Sequence, residues 1–147
     1  MLPKTHIFLG AALALVFYLF FPQTALYNIF LVFVGAFLMD IDHYISACYS
    51  RKKLLSMKES FEYYKEFNER CLEAKSRGIK IKSDFHLLHT FEFHLFILIM
   101  AFFFEPFFYV FIGMIFHTAL DFISLADNGI LYVREFFLIN YLIKKII

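Results

Sequence analysis

The chain has 147 residues, the size of one domain, and 61% of them are hydrophobic. A mean hydropathy of +0.68 and 22% aromatic residues, with 23 Phe and no Trp, are a membrane composition. The net charge of +1 offers no basic field for nucleic acid, and the 2 cysteines, Cys48 and Cys71, match no CxxC spacing, so they are expected as free thiols rather than a disulfide framework.

Four apolar stretches are expected to cross the membrane, at 5–21, 25–45, 85–104 and 107–125. Each is long enough for a span, since roughly 30 Å of hydrocarbon takes about 20 residues at 1.5 Å per residue. No small-x-small cleavage site follows the first stretch, so it is read as a span rather than a signal peptide. Phe21-Pro22-Gln23-Thr24 separates the first two, with Pro22 as breaker and Thr24 as the expected N-cap. Glu105-Pro106 separates the last two. Such short turns predict two antiparallel helical hairpins.

Between the hairpins, 46–84 holds 10 of the 14 Lys and Arg residues. Its amphipathic insertion, 50–82, is expected to contain a helix over 54–77. Phe61, Tyr64, Phe67, Cys71 and Leu72 share one face, and Glu66–Arg70 and Glu73–Arg77 are pairs on the other. Gly78 is the expected C-cap, and Ser83 or Asp84 the expected cap of the third span. The tail, 128–147, is apolar but carries Arg134, Glu135, Lys144 and Lys145, and is read as an interfacial helix. With four crossings every positive charge falls on one side. The positive-inside rule then predicts a multi-pass protein of the cell (inner) membrane with both termini cytoplasmic. The expected fold is all-α: a four-helix transmembrane bundle, a cytoplasmic amphipathic helix and an interfacial tail, in one domain over 1–147.

The polar groups within these stretches carry the functional reading. Ionisable side chains in hydrocarbon cost several kcal/mol, so their repeated appearance marks a site. Counted inward from the two tight turns, His94 and His117 lie roughly 15 Å deep, and His6, Asp40, His89 and Asp121 roughly 21–24 Å. Asp42, His43 and His86 follow at about 27 Å. All four helices thus contribute to one layer beneath the cytoplasmic surface. Asp40 and His43 lie about 60° apart on a helix, and His117 and Asp121 about 40°. His94 lies about 140° from His89, so Glu92 and His94 cannot both face one centre, and a regular helix puts Asp42 nearly opposite Asp40. Imidazoles with carboxylates suit zinc, with manganese or iron as alternatives. Such a centre activates water and clamps phosphoester oxygens. His43 and His86, nearest the headgroups, are either interface residues or groups that orient the ligands.

At these positions the chain resembles the YdjM-like family of inner-membrane metal-dependent hydrolases. The matching elements are Thr5-His6 with Gly10, Asp40-Ile41-Asp42-His43, His89-Thr90-Phe91-Glu92-Phe93-His94, and His117-Thr118-Ala119-Leu120-Asp121. The resemblance covers 5–125. It implies His6, Asp40, His89, His94, His117 and Asp121 as metal ligands, His43 and His86 as supporting or additional ligands, and Glu92 and Asp42 as catalytic groups. Thr90 stands where the family has Arg, and Phe93 where it has Thr before the second His. The missing Arg is a phosphate clamp that Arg134 or a central lysine would have to replace. A distant similarity to zinc-dependent phospholipase C and zinc nucleases implies phosphoester hydrolysis, on a lipid or another amphiphilic, phosphorylated substrate. Inward His and Asp layers also line ion pathways, so a metal-ion or proton transporter is the leading alternative. The outer halves of the stretches lack a second acidic layer, which ranks transport lower. A non-enzymatic membrane scaffold is the third reading.

Overall fold

The computed structural model describes residues 3–54 and 56–147; residues 1 and 2 and position 55 of the central insertion lie outside the described residues. Among the described residues the protein is helical, with no strand. Its helices are α1 (Pro3–Phe20), α2 (Leu26–Leu38), α3 (Asp40–Arg51), α4 (Met57–Ser76), α5 (Phe91–Phe103), α6 (Glu105–Asp127) and α7 (Leu138–Ile146). Two segments are long and apolar enough to cross a membrane, Leu26–Arg51 and Glu105–Asp127, and two shorter apolar helices, Lys4–Phe20 and Phe91–Phe103, accompany them. α2 packs between α1 and α6, and α6 also packs against α5. The outward sides of these helices are bare hydrocarbon, with Phe8 73% and Phe102 83% exposed.

Small residues decide how closely the helices approach. A Cβ on Gly35 would fall within the Val110 backbone, and one on Gly113 would collide with the Val32 carbonyl and lie 2.6 Å from the Ala36 nitrogen. The α2 and α6 backbones therefore touch, which only glycine permits. α1 joins at Gly10, whose Cβ position is 3.0 Å from the Ala36 Cβ. Without a hydrophobic force between helices in lipid, such close packing is what associates them. Below this crossing, Met39, Ile97 and Met114 form a buried core with Phe93, Phe107, Val110 and Phe111 around it.

Several helix ends differ from the sequence expectation. The second stretch is broken at Met39 into α2 and α3, with Asp42 N–H bonded to the Met39 carbonyl at 3.1 Å. Ala25, not Thr24, is the N-cap of α2. The helix expected from 85 begins at Phe91, after a single 3-10 turn at Leu87–His89. Its cap is Thr90 rather than Ser83 or Asp84, because the Thr90 hydroxyl oxygen accepts the Phe93 N–H at 3.3 Å and the hydroxyl donates to the Leu87 carbonyl at 2.8 Å. The step from α5 to α6 is Phe104 alone, and Pro106 sits in the first turn of α6, where its missing N–H costs nothing.

α4 starts at a capping box. The Ser56 side chain accepts the Glu59 N–H, and the Glu59 carboxylate accepts the Ser56 N–H at 2.7 Å. That backbone bond, followed by Lys53, holds the Glu59 carboxyl down at about 2. Gly78 follows α4 at φ +71°, the left-handed conformation that closes a helix end. The Glu73–Arg77 pair forms at 2.6 Å, whereas Glu66 reaches back to Arg51 at 3.1 Å. Cys71, buried, packs with Ile130 and Val133, so α4 clamps the segment that follows α6. Neither Cys48 nor Cys71 forms a disulfide.

Gly113→Ala is expected to lower the stability of the detergent-solubilised protein by about 1–3 kcal/mol, because the added methyl meets backbone that cannot yield. Gly10→Ala meets only one methyl and is expected to cost less. Thermal unfolding of the two variants beside wild type checks the order.

Candidate metal centre

The close crossing places ligands one helical turn away from each small residue. His6 is four residues from Gly10, Asp40 four from Ala36, and His117 four from Gly113, each pair on one helix face. The three side chains converge there, and they form a group whose donor atoms all lie within 4.8 Å of one another. A second group of the same compactness consists of His43, His89 and Asp121. All six side chains except His43, which is half-buried, are buried.

The groups interlock through Asp121. One Asp121 oxygen is 3.3 Å from His6 Nε2. The other is 3.7 Å from both His89 Nε2 and His117 Nε2. Asp40 lies 3.2 Å from His6 Nδ1 and 3.9 Å from His117 Nε2. His117 Nδ1 donates to the Ala36 carbonyl at 2.8 Å. That bond leaves Nε2 as the unprotonated nitrogen, an acceptor within hydrogen-bond distance of His89 Nε2 at 3.3 Å. Lone pairs and carboxylate oxygens pointed at one another in a buried space repel unless a proton or a cation lies among them. His6 Nε2 and His89 Nδ1 are also buried without a hydrogen bond. Among the described residues, three carboxylates, those of Asp40, Asp42 and Asp121, meet one guanidinium here, that of Arg134. The donor set and its orphaned nitrogens therefore fit a dication.

Asp42 faces the other way from Asp40, as helix geometry requires, and finds a different task. Its carboxylate accepts the Leu88 N–H at 2.6 Å and lies 3.6 Å from His89 Nδ1. It thus ties α3 to the 3-10 turn and steadies the rear of the His89 ring while Nε2 faces the centre. The His43 and His86 rings meet at a tilt with centroids 4.3 Å apart, and the His43 centroid lies 4.9 Å from that of His89. His86 Nε2 receives the Tyr64 hydroxyl at 3.0 Å, so α4 reaches the edge of the cluster. Burial pushes the Tyr64 phenol above its usual range.

Two expected site residues are not brought to this group. His94 Nδ1 donates to the Thr90 carbonyl at 2.8 Å, and Nε2 accepts the Thr118 hydroxyl at 2.8 Å, so both nitrogens are engaged away from the centre. The Glu92 carboxylate accepts the N–H groups of Leu138 at 2.9 Å and Ile139 at 3.2 Å, and so caps α7. The break before α5 explains the separation. His89 lies on the turn and points inward, whereas Glu92 and His94 lie on the helix proper. Conversely, Arg134 enters the site from the tail. Its Nη1 is 2.5 Å from Asp121, and its Nη2 3.4 Å from His43 Nε2. Its position after Asn128-Gly129 marks a turn back toward the bundle, the one signal in the sequence that it returns.

The family model for YdjM inner membrane protein matches residues 1–132, so the chain belongs to that family and with inner-membrane proteins. No curated protein and no solved structure matches it.

Glu92→Ala removes the cap of α7 without touching the His/Asp group. Amide exchange at Leu138 and Ile139 is expected to rise about fivefold, the equivalent of about 1 kcal/mol for a lost helix cap. Hydrogen exchange read by mass spectrometry on the C-terminal peptide checks it.

Proposed function

We propose that this member of the YdjM inner membrane protein family is a membrane-embedded, metal-dependent hydrolase that acts at the cytoplasmic face on a phosphoester of a lipid or another amphiphile. One observation carries the reading. Four separate parts of the chain (α1, the start of α3, the turn before α5, and α6) build two compact groups, His6 with Asp40 and His117 and His43 with His89 and Asp121, that interlock through Asp121 and leave His6 Nε2 and His89 Nδ1 buried without a hydrogen bond. A purely structural polar cluster would satisfy its nitrogens with hydrogen bonds, as His94 does.

The topology that supports this reading has four crossings. Leu26–Arg51 and Glu105–Asp127 are the long spans, and α1 and α5 pack on them as the shorter ones. The two connections, 21–25 and Phe104, carry no Lys or Arg, whereas 51–82 and the tail are rich in both. The positive-inside rule then puts α4, α7 and the His/Asp end in the cytoplasm. α4 is the cytoplasmic amphipathic helix, and α7 lies in the interface with Ile139, Leu142, Ile143 and Ile146 exposed toward acyl chains.

The chemistry that a divalent cation held here would supply (zinc by its preference for imidazole with carboxylate, manganese or iron as alternatives) is activation of water and polarisation of a phosphoryl oxygen. His6, Asp40 and His117 would hold the cation, with Asp121 and His89 adjoining. The Ala36 carbonyl keeps the His117 lone pair aimed inward. Asp42 holds the His89 turn in place. His43 Nδ1 is buried without a hydrogen-bond partner beside this group. The site's place at the membrane surface suits a substrate whose head meets the centre while its tail stays in the bilayer.

Detergent-purified wild type is expected to retain close to one equivalent or more of zinc, manganese or iron by elemental analysis. Asp121→Ala and His117→Ala are expected to retain less than a tenth of that. Release of phosphate or an alcohol headgroup from phosphorylated lipids should stop on chelation and return with the metal. Wild-type protein free of all three metals would end this reading.

A further inference from the structure

Arg134 reaches the centre from the tail, beyond the bundle helices. It sits in extended backbone between the 3-10 turn Leu131–Val133 and α7. That strap is fastened at several points. The Ser83 N–H meets the Val133 carbonyl at 2.9 Å, and the Phe91 N–H meets the Phe136 carbonyl at 2.9 Å. Glu92 caps α7 just beyond, and Phe85 stacks on Tyr141 at 4.0 Å. The base of the arm is therefore fixed, and only the side chain is free to change partner.

Its partners belong to one group and not the other. The guanidinium touches Asp121 at 2.5 Å and His43 at 3.4 Å, two of the three members of the His43, His89 and Asp121 group. None of its described contacts is to His6, Asp40 or His117. A guanidinium 2.5 Å from a carboxylate oxygen already occupies the place a second dication would take, and two cations sharing that oxygen repel. The Arg134 side chain is 10% exposed against 2% for Asp121, so it is the member of the pair that an incoming anion reaches first. A phosphoryl group offers the guanidinium two oxygens in place of one, the geometry it binds best.

We infer that Arg134 is a resident cation that holds the centre to a single metal position, and that a phosphoryl anion drawing the guanidinium off Asp121 opens the second position. The inference rests on the metal centre proposed above and adds its regulation. Substrate headgroup and second cation then enter together.

The test titrates metal-free full-length protein in detergent with Co(II), read by visible absorption and calorimetry, with inorganic phosphate present or absent. Wild type is expected to bind one equivalent alone and a second when phosphate is added, with at least tenfold tighter second binding. Arg134→Met is expected to bind two equivalents without phosphate, and Arg134→Lys, which keeps the charge, one. Two equivalents in wild type without phosphate, or one in Arg134→Met, overturns the inference and leaves the proposed centre standing. No binding by wild type under any condition overturns both. Should Arg134→Met fail to fold, the phosphate arm on wild type decides alone: no second equivalent overturns the inference.

Discussion

The contact between the backbones of α2 and α6 is the constraint from which the rest follows. Gly35 and Gly113 let the two helices touch, and Gly10 lets α1 close on Ala36. A polar cluster deep in a helical assembly needs its ligands within a few ångströms, and helices separated by ordinary side chains lie 8–10 Å apart. Glycine removes that spacing. The ligands then follow one turn along each helix, at His6, Asp40 and His117. The same contact brings the Ala36 carbonyl to His117, so one packing event sets both the distance and the tautomer.

The second half of the centre is built differently. It depends on interruptions rather than on regular helix. The turn at Leu87–His89 lets Asp42, on α3, and His89 meet across two segments. Asp42 holds that turn by its backbone, which makes a carboxylate on α3 the anchor of a loop ahead of α5. The tail closes the arrangement, with Glu92 capping α7 and Arg134 reaching in. Elements on the cytoplasmic side of the proposed topology thus finish a site that the bundle begins. α4 contributes Tyr64 at its edge and clamps the start of the tail through Cys71.

Much of this was legible in the residues. The apolar stretches, the two tight turns, the amphipathic α4 closed by Gly78, and the shared depth of the His and Asp residues all follow from local pattern and from 1.5 Å per residue. The pairing of His117 with Asp121 follows from their spacing. The helix angle also separated Asp40 from Asp42 and Glu92 from His94, and the structure gives each member of those pairs a different partner. Less legible were the ends of helices, because caps depend on partners distant in sequence. Thr90 as the cap of α5 was masked by Ser83 and Asp84, which look equally suitable.

Composition, periodicity and the spacing of histidines with acids determined by themselves that this is a helical membrane chain whose apolar helices carry imidazoles and carboxylates toward one end. Those are local properties, written in hydropathy and in the 3.6-residue turn. Only the tertiary structure decided which imidazoles look at each other, that His94 and Glu92 are spent on Thr118 and α7, and that Arg134 returns to Asp121. Each of those outcomes depends on contacts between segments far apart in sequence. Such contacts are set by how closely two backbones pack and by where a helix breaks, and neither is encoded within the window of a single turn.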